Sequence, residues 1–401
     1  MLVAALIFVA TYVVIALGRA PGLRLDRTGA ALVGASLMVA SGALSLEDAY
    51  RAIDIDTLTL LLGMMIIVAN LRFSGFFQLA AAWIGRHAHR PAVLLMGVVL
   101  VSGFLSAFLV NDTVCLALTP LIAEATLAMK RRPQPYLLAL AMASNIGSAA
   151  TITGNPQNIM IGSFSRIPYA EFAAALAPVS ALGLVVVLLF IVLFHRGEFL
   201  SADRLAQAPI RRRWNRWLLA KALAAALGSV VFFFAGQPPA KVAIVAGALL
   251  LLTRRIKPER IYRDIDWSLL LLFAGLFIVV RGIETAVITP GALAEAGRLQ
   301  LSQPAILAAA SAVLSNLVSN VPAVLVLKPF VQGLADAHRA WLVLAMAATL
   351  AGNFTILGSI ANLIVVERAR RHGIEIDFWS YLRIGAPVTV LTIVIGVLLL
   401  S

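Results

Sequence analysis

Twelve apolar segments are the feature that most constrains this chain. They fall near 2–18, 29–44, 55–71, 91–128, 136–162 and 169–195, then 215–234, 238–253, 265–281, 303–331, 340–366 and 380–400. A helix needs about 20 apolar residues to cross the hydrocarbon core of a bilayer. With 61% hydrophobic and only 13% charged residues, a protein of this size has no interior large enough to hide so much apolar surface from water. The solvent for most of the chain is therefore lipid. The stretch from Leu2 to Leu17 has no basic residue before it and no small-residue cleavage site after it, so it reads as a first span and not as a cleaved signal.

The formal net charge of +13 sits mainly in a few interhelical loops. There it sets topology by the positive-inside rule and gives no sign of nucleic-acid binding. The single cysteine, Cys115, excludes an internal disulfide and any multi-thiolate metal centre, and the five histidines are scattered. The sequence carries no metal-ligand spacing, Walker motif or dinucleotide fingerprint. No cofactor is expected, and an ion gradient or a separate ATPase subunit must supply the energy. No nucleophile–base pair suggests an enzyme.

The basic stretch from His195 to Arg216 separates two halves that repeat each other. Asp54-Ile55-Asp56 opens the third segment of one half and Asp264-Ile265-Asp266 that of the other. Asn111 precedes Pro120 by the interval at which Asn320 precedes Pro329. Leu-Ala-Leu-Ala-Met-Ala at 138–143 matches Leu-Val-Leu-Ala-Met-Ala at 342–347, and Thr151, Ile152, Gly154 and Asn158 then match Thr355, Ile356, Gly358 and Asn362 without a gap. Such ordered matches argue for duplication. The expected organisation is a first repeat over 1–200, a cytoplasmic linker over 201–214 and a second repeat over 215–401.

Loop charge orients the halves. Arg19, Arg24 and Arg27, then Arg72, Arg86 and Arg90, then Lys130, Arg131 and Arg132 lie on one side, so the fourth segment enters and leaves on the same face. The second half begins inside and mirrors this, with Arg254, Arg255, Lys257, Arg260 and Arg263 and later Arg368, Arg370 and Arg371 inside. Each half crosses five times, which makes the repeats inverted, a common transporter construction. Both termini are expected outside the cytoplasm. The predicted fold is all-α and polytopic, with about ten transmembrane helices, two re-entrant hairpins (91–129 and 303–331) and two broken helices (136–162 and 340–366). A full helix pair returns to its own side as a hairpin does; the polar turn at Asn111-Asp112-Thr113 favours the re-entrant form.

Chemistry concentrates at the breaks and the tips. Thr151-Ile-Thr-Gly-Asn-Pro-Gln-Asn158 interrupts an apolar stretch. Pro156 removes a backbone donor and Gly154 permits unusual dihedrals. The side chains of Thr153, Asn155, Gln157 and Asn158 are costly in lipid unless they line a cavity or pair internally. The partner break carries Thr355, Gly358, Ser359 and Asn362, with Asn353 just before. Broken helices of this kind expose carbonyls and helix ends to an ion or substrate; the plainer reading is a kinked helix whose polar groups bond to neighbours. At the tips stand Asn111, Asp112 and Thr113, and Ser319 and Asn320. Asp112 is the one acid deep in an apolar segment, where an ionisable group is a functional hypothesis by default; the plainer alternative is a cap for a helix starting at Thr113. Phe73 to Ala88, matched by roughly 283–299, reads as an interfacial amphipathic helix. Arg281 reads as snorkelling.

The order hairpin, broken helix, and their repetition resembles the ion transporter superfamily. Phe108-Leu-Val-Asn-Asp-Thr-Val-Cys-Leu-Ala-Leu-Thr-Pro120, Ser319-Asn-Val-Pro-Ala-Val-Leu325 and Gly358-Ser-Ile-Ala361 look like the branch of arsenite permeases, citrate-type anion transporters and Na+/H+ antiporters related to the pink-eyed dilution protein. The resemblance implies an elevator-type carrier in a bacterial-type inner membrane, often a homodimer. It also implies that Asn111, Asp112, Thr113 and the 153–158 loop form one binding element, and Ser319, Asn320 and the 355–362 loop the other, with Na+ at the tips or H+ as coupling ion. The Asn-Asp pair resembles arsenite permeases. The tips differ from the Ser-Asn-Thr of the dicarboxylate branch, and Gly154–Asn158 departs from familiar arsenite permeases. The expected function is ion-coupled transport of a small anion or metalloid oxyacid, with arsenite or antimonite efflux the sharpest candidate. Na+/H+ antiport, or a channel or membrane scaffold on the same fold, are the rivals.

Overall fold

A computed structural model describes residues 2–18, 24–200, 205, 214–252, 256–287 and 300–401. Most of the linker 201–214, the basic residues Arg19, Arg254 and Arg255, and most of the stretch 283–299 lie outside the described residues. The protein is an all-helical polytopic membrane protein. The first half contains α1 (Leu2–Leu17), α2 (Arg27–Ala40), α3 (Leu46–Ala52), α4 (Ile55–Ser74), α5 (Phe76–His87), α6 (Pro91–Phe108), α7 (Asn111–Ala128), α8 (Pro133–Ser148), α9 (Pro156–Ser165), α10 (Tyr169–Phe194) and α11 (Arg196–Phe199). The second contains α12 (Arg216–Phe234), α13 (Pro239–Leu251), α14 (Pro258–Tyr262), α15 (Trp267–Val287), α16 (Pro304–Val318), α17 (Asn320–Gln332), α18 (Ala337–Leu350), α19 (Ile360–Arg370) and α20 (Phe378–Leu400).

Among the described residues, six helices are long and apolar enough to span a membrane: α4, α6, α10, α12, α15 and α20. Four shorter apolar helices, α1, α2, α13 and α16, accompany them. Many helices begin where local chemistry starts them. Proline sits in the first turn of α6, α8, α9, α13 and α16, where its missing N–H costs nothing. Asp54 caps α4 by accepting from the backbone N–H of Asp56 and Thr57. The matching acids divide their work differently: Asp266 accepts from Leu269 N at the start of α15, while Asp264 forms an ion pair with Arg72 at the end of α4.

The packing is reciprocal between halves. Helix α2 of the first half lies against α15 of the second, and α13 of the second lies against α4 of the first. Both contacts close on a glycine. A Cβ on Gly63 would collide with the backbone of Ala243, and one on Gly275 with the backbone of Ala31. Gly63 and Gly275 are separated by the same interval in sequence as Ala31 and Ala243. Small residues that let backbones approach drive helix association where lipid removes the hydrophobic force. Other contacts repeat likewise: α6 on α8 with α16 on α18, and α7 on α19 with α17 on α9.

Each half closes with a long proline-bearing helix, α10 or α20, and these two pack on one another. Ala177-Pro178-Val179-Ser180 in one and Ala386-Pro387-Val388-Thr389 in the other are separated by the interval that separates Asn111 from Asn320. This match escaped the reading of the sequence because it lies inside uniformly apolar helices. Arg281, expected to snorkel, is exposed and pairs with Glu284 at 3.5 Å, and Glu284 also receives Lys328 at 3.2 Å.

Candidate functional site

Each broken helix is interrupted in the same way. Helix α8 ends at Ser148, a single 3-10 turn follows at Ile152–Gly154, and α9 begins at Pro156. Helix α18 ends at Leu350, short turns follow at Ala351–Asn353 and Ile356–Gly358, and α19 begins at Ile360. The carbonyls left free by each break need donors. Asn158 Nδ2 donates to Ser148 O at 3.2 Å and Thr151 O at 3.1 Å. Asn362 Nδ2 donates to Gly352 O at 2.7 Å and Thr355 O at 3.1 Å. These amides therefore hold the break open, and part of the plainer reading, polar groups bonding to neighbours, describes them. Asn155 and Ser359 cap the helices that follow, accepting from Asn158 N at 2.8 Å and Ala361 N at 3.2 Å. Gly154 is fixed by crowding, since a Cβ there would meet Ser148 O; on Gly358 it would lie 2.9 Å from Asn316 Oδ1.

Asn145, buried in α8, joins the halves. Its Oδ1 accepts from Asn111 Nδ2 at 3.0 Å and from Ser359 Oγ at 3.0 Å. Its Nδ2 donates to Asn353 Oδ1 at 2.9 Å and Asn362 Oδ1 at 3.0 Å. Thr349 does the reciprocal task from α18. It accepts from Asn155 Nδ2 and Gln157 Nε2, each at 3.2 Å, and donates to Asn158 Oδ1 at 3.3 Å. Neither Asn145 nor Thr349 stood out in the sequence. The signal was present, since they close the matched runs Leu-Ala-Leu-Ala-Met-Ala-Ser-Asn145 and Leu-Val-Leu-Ala-Met-Ala-Ala-Thr349. Each reaches the loop of the opposite half.

The tips meet this network. Helix α6 passes into α7 through Leu109 and Val110 alone, and α16 into α17 through Ser319. Helix α7 starts at Asn111, earlier than expected, with Val110 at the cap position and no side-chain capping bond. Asp112 thus lies in the first turn instead of capping it. It is half-buried and makes no hydrogen bond or ion pair among the described residues. Asn111 is buried beside Asn145, and Ser144 Oγ donates to its backbone carbonyl at 3.3 Å. Thr113, like Asp112, is half-buried. On the other tip, Ser319 holds φ 78° and ψ 159°, a region populated almost only by glycine and a marker of stored strain. Asn320 stands close to the second break: a Cβ on Gly352 would lie 3.2 Å from Ser359 Cβ and 3.6 Å from Asn320 Nδ2.

The structure thus brings Asn111, Asn353, Ser359 and Asn362 together on Asn145, and Asn155, Gln157 and Asn158 on Thr349. Thr153 points elsewhere. Its hydroxyl meets Tyr169 OH at 2.8 Å. Thr355 contributes its carbonyl to the break, and among the described residues its half-buried side chain forms no hydrogen bond. Among the described residues five buried amide oxygens remain without a donor; Asn111 Oδ1, Asn316 Oδ1 and Asn320 Oδ1 belong to the tips and their approach, and Asn70 Oδ1 and Gln78 Oε1 lie on α4 and α5. Asn316, one turn before the second tip, anchors itself by donating to Ala312 O and Ala351 O, both at 3.0 Å. Among the described residues no lysine or arginine bonds to any member of the network. No group of three or more His, Cys, Asp or Glu side chains suited to a metal ion occurs among them either.

Paired broken helices facing paired hairpin tips define a secondary-transporter fold. A crystal structure of the YdaH transporter of Alcanivorax borkumensis, described as having an unusual topology, superposes with a TM-score of 0.64 at 15% identity, covering 100% of this chain and 96% of that one. The citrate transporter family matches residues 12–351, and this chain belongs to that family. It is 32% identical to a 46 kDa membrane protein of Mycobacterium leprae over 98% of this chain and 96% of that protein. It is 29% identical to a silicon efflux transporter of rice, Oryza sativa subsp. japonica, over 95% of this chain and 93% of the other. The protein is accordingly a membrane transporter and not an enzyme.

Proposed function

We propose that the protein is an ion-coupled secondary carrier for a small hydroxylated metalloid acid, with arsenite or antimonite efflux as the leading case. The observation that carries this reading is the surplus of acceptors. Among the described residues three buried amide oxygens of the tips and their approach, on Asn111, Asn316 and Asn320, lack donors, and Asp112, next to Asn111 in the chain, adds a carboxylate with no hydrogen bond or ion pair among them. A buried acceptor without a donor costs about 1–3 kcal/mol. Arsenous, antimonous and silicic acids keep their protons near neutral pH and offer hydroxyl donors in several directions. Citrate would bring more acceptors, and among the described residues no cationic side chain bonds to the network to receive its charge. The 29% identical rice relative is a silicon efflux transporter, and a 24% identical Dictyostelium discoideum relative is described as a putative transporter arsB.

The same acceptors suit a bare cation, which supports a second reading: Na+/H+ antiport with no further substrate. In either case Asp112 is the group that takes the driving proton or Na+. The two halves act as inverted repeats, and the hairpins and breaks move together against α2, α4, α13 and α15 as an elevator. Purified protein in liposomes, under imposed proton and sodium gradients, separates the readings. Saturable arsenite or antimonite flux is expected. Saturable citrate flux with no metalloid flux would overturn the metalloid proposal, and sodium–proton exchange alone would establish the second reading.

A further inference from the structure

Two apolar grooves flank the site, one beside each hairpin, and their walls are repeat mates. The first, of about 970 Å³, lies between α5, α6 and α10. The second, of about 640 Å³, lies between α16 and α20. Phe104 and Val313, Ser180 and Thr389, and Leu184 and Ile393 occupy the same places in the two walls, each pair separated by the interval between Asn111 and Asn320. The grooves differ at their mouths. The first is closed at one end by α5, whose Trp83 and His87 line it. Arg86 follows Trp83 by one helical turn, and Arg90 precedes the first residue of α6. Both arginines are exposed and have no ion pair among the described residues.

The geometry points to a bound anionic phospholipid in the first groove: its headgroup phosphate on Arg86 and Arg90, and one acyl chain laid along α6 as far as the hairpin tip. The lining on α6 runs from Val93 to Phe108, about 22 Å at 1.5 Å per residue. That exceeds the roughly 15 Å depth of one leaflet's hydrocarbon. An apolar trough of this length, lined at one end by Trp83, His87 and Val93, with the exposed Arg86 and Arg90 next to these residues in the chain and without an ion pair among the described residues, matches an amphiphile with a negative head. Basic pockets beside membrane helices select such heads, and tryptophan favours the headgroup level. The second groove has the same apolar walls, and the residues at the interval that matches Arg86 and Arg90 are Glu295 and Leu299, so it supplies an internal control.

Native mass spectrometry of the full-length protein, purified in detergent and offered phosphatidylglycerol or phosphatidylcholine of identical chains, tests this. The parent protein should retain phosphatidylglycerol at least tenfold over phosphatidylcholine. The double variant Arg86→Gln/Arg90→Gln should lose that preference. Ala177→Trp, at an exposed position lining the first groove, should cut retention several-fold, whereas Val390→Trp in the second groove should not. Equal retention of the two lipids by the parent protein would overturn the proposal. So would an unchanged preference in the arginine variant, or unchanged retention in Ala177→Trp. Lipid-free dimers in which Ala177→Trp weakens association would also overturn it, by making the groove a seam between two copies of the chain.

Discussion

Replacing Asn145 with alanine is the most informative single change. The amide makes four buried hydrogen bonds, to Asn111, Asn353, Ser359 and Asn362. Ser359 keeps its bond from Ala361 N. Asn353 Oδ1 and Asn362 Oδ1 lose their partner, as does Asn111 Nδ2. Each orphaned buried group costs about 1–3 kcal/mol. The low end applies if water fills the space of the lost amide, giving about 3 kcal/mol in all, and water with several polar partners is stable in such a space. At roughly 1.2 °C per kcal/mol for a chain of this size, the melting temperature falls by about 4 °C. Flux should fall much further, because Asn145 sets the position of the first tip relative to the second break. The assay is a melting curve in detergent beside initial flux in liposomes, with Asn145→Asp as companion. The aspartate keeps the acceptor for Asn111 and Ser359 but sets an oxygen against two oxygens at 2.9 and 3.0 Å, so it should transport only where protonated. A melting temperature within 1 °C of the parent together with unchanged flux would refute the claim that Asn145 couples the halves.

Three further outcomes are expected. Asp112→Asn should fold normally and abolish the dependence of flux on the driving ion gradient; an unchanged pH and sodium profile would place coupling elsewhere. Gly63→Leu should destabilise severely, because its side chain would enter the backbone of Ala243, and Gly275→Leu should do the same against Ala31; expression and gel-filtration profiles equal to the parent would contradict the close contact. A cysteine at Ser401, in a Cys115→Ser background, should react with a membrane-impermeant thiol reagent from outside the cytoplasm. Labelling from the cytoplasm alone would overturn the inverted arrangement of the halves.

The sequence by itself determined the solvent and the plan. A charged fraction of 13% and apolar runs of spanning length leave no soluble fold open, and prolines and caps fix most helix starts because these are local effects of one residue on its own backbone. The breaks were legible for the same reason: Gly154, Pro156 and the asparagines around them act on the chain within a few residues. What tertiary structure decided is which polar groups satisfy each other. Asn158 and Asn362 looked like ligand groups in sequence, yet their amide nitrogens are taken up by the free carbonyls that hold each break open. Asn145 and Thr349, inconspicuous inside alanine-rich helices, prove to be the groups that reach across. Thr153 bonds to Tyr169 and Thr151 and to neither Asn145 nor Thr349. A hydrogen bond is specified by position to within a few tenths of an ångström, and residues as far apart in the chain as Asn145 and Asn362 acquire that proximity only when α8 and α19 pack. Composition and spacing therefore reveal that polar side chains must be answered for inside the membrane, and the packing of the two halves alone settles which ones answer each other and which oxygens remain without a donor among the described residues.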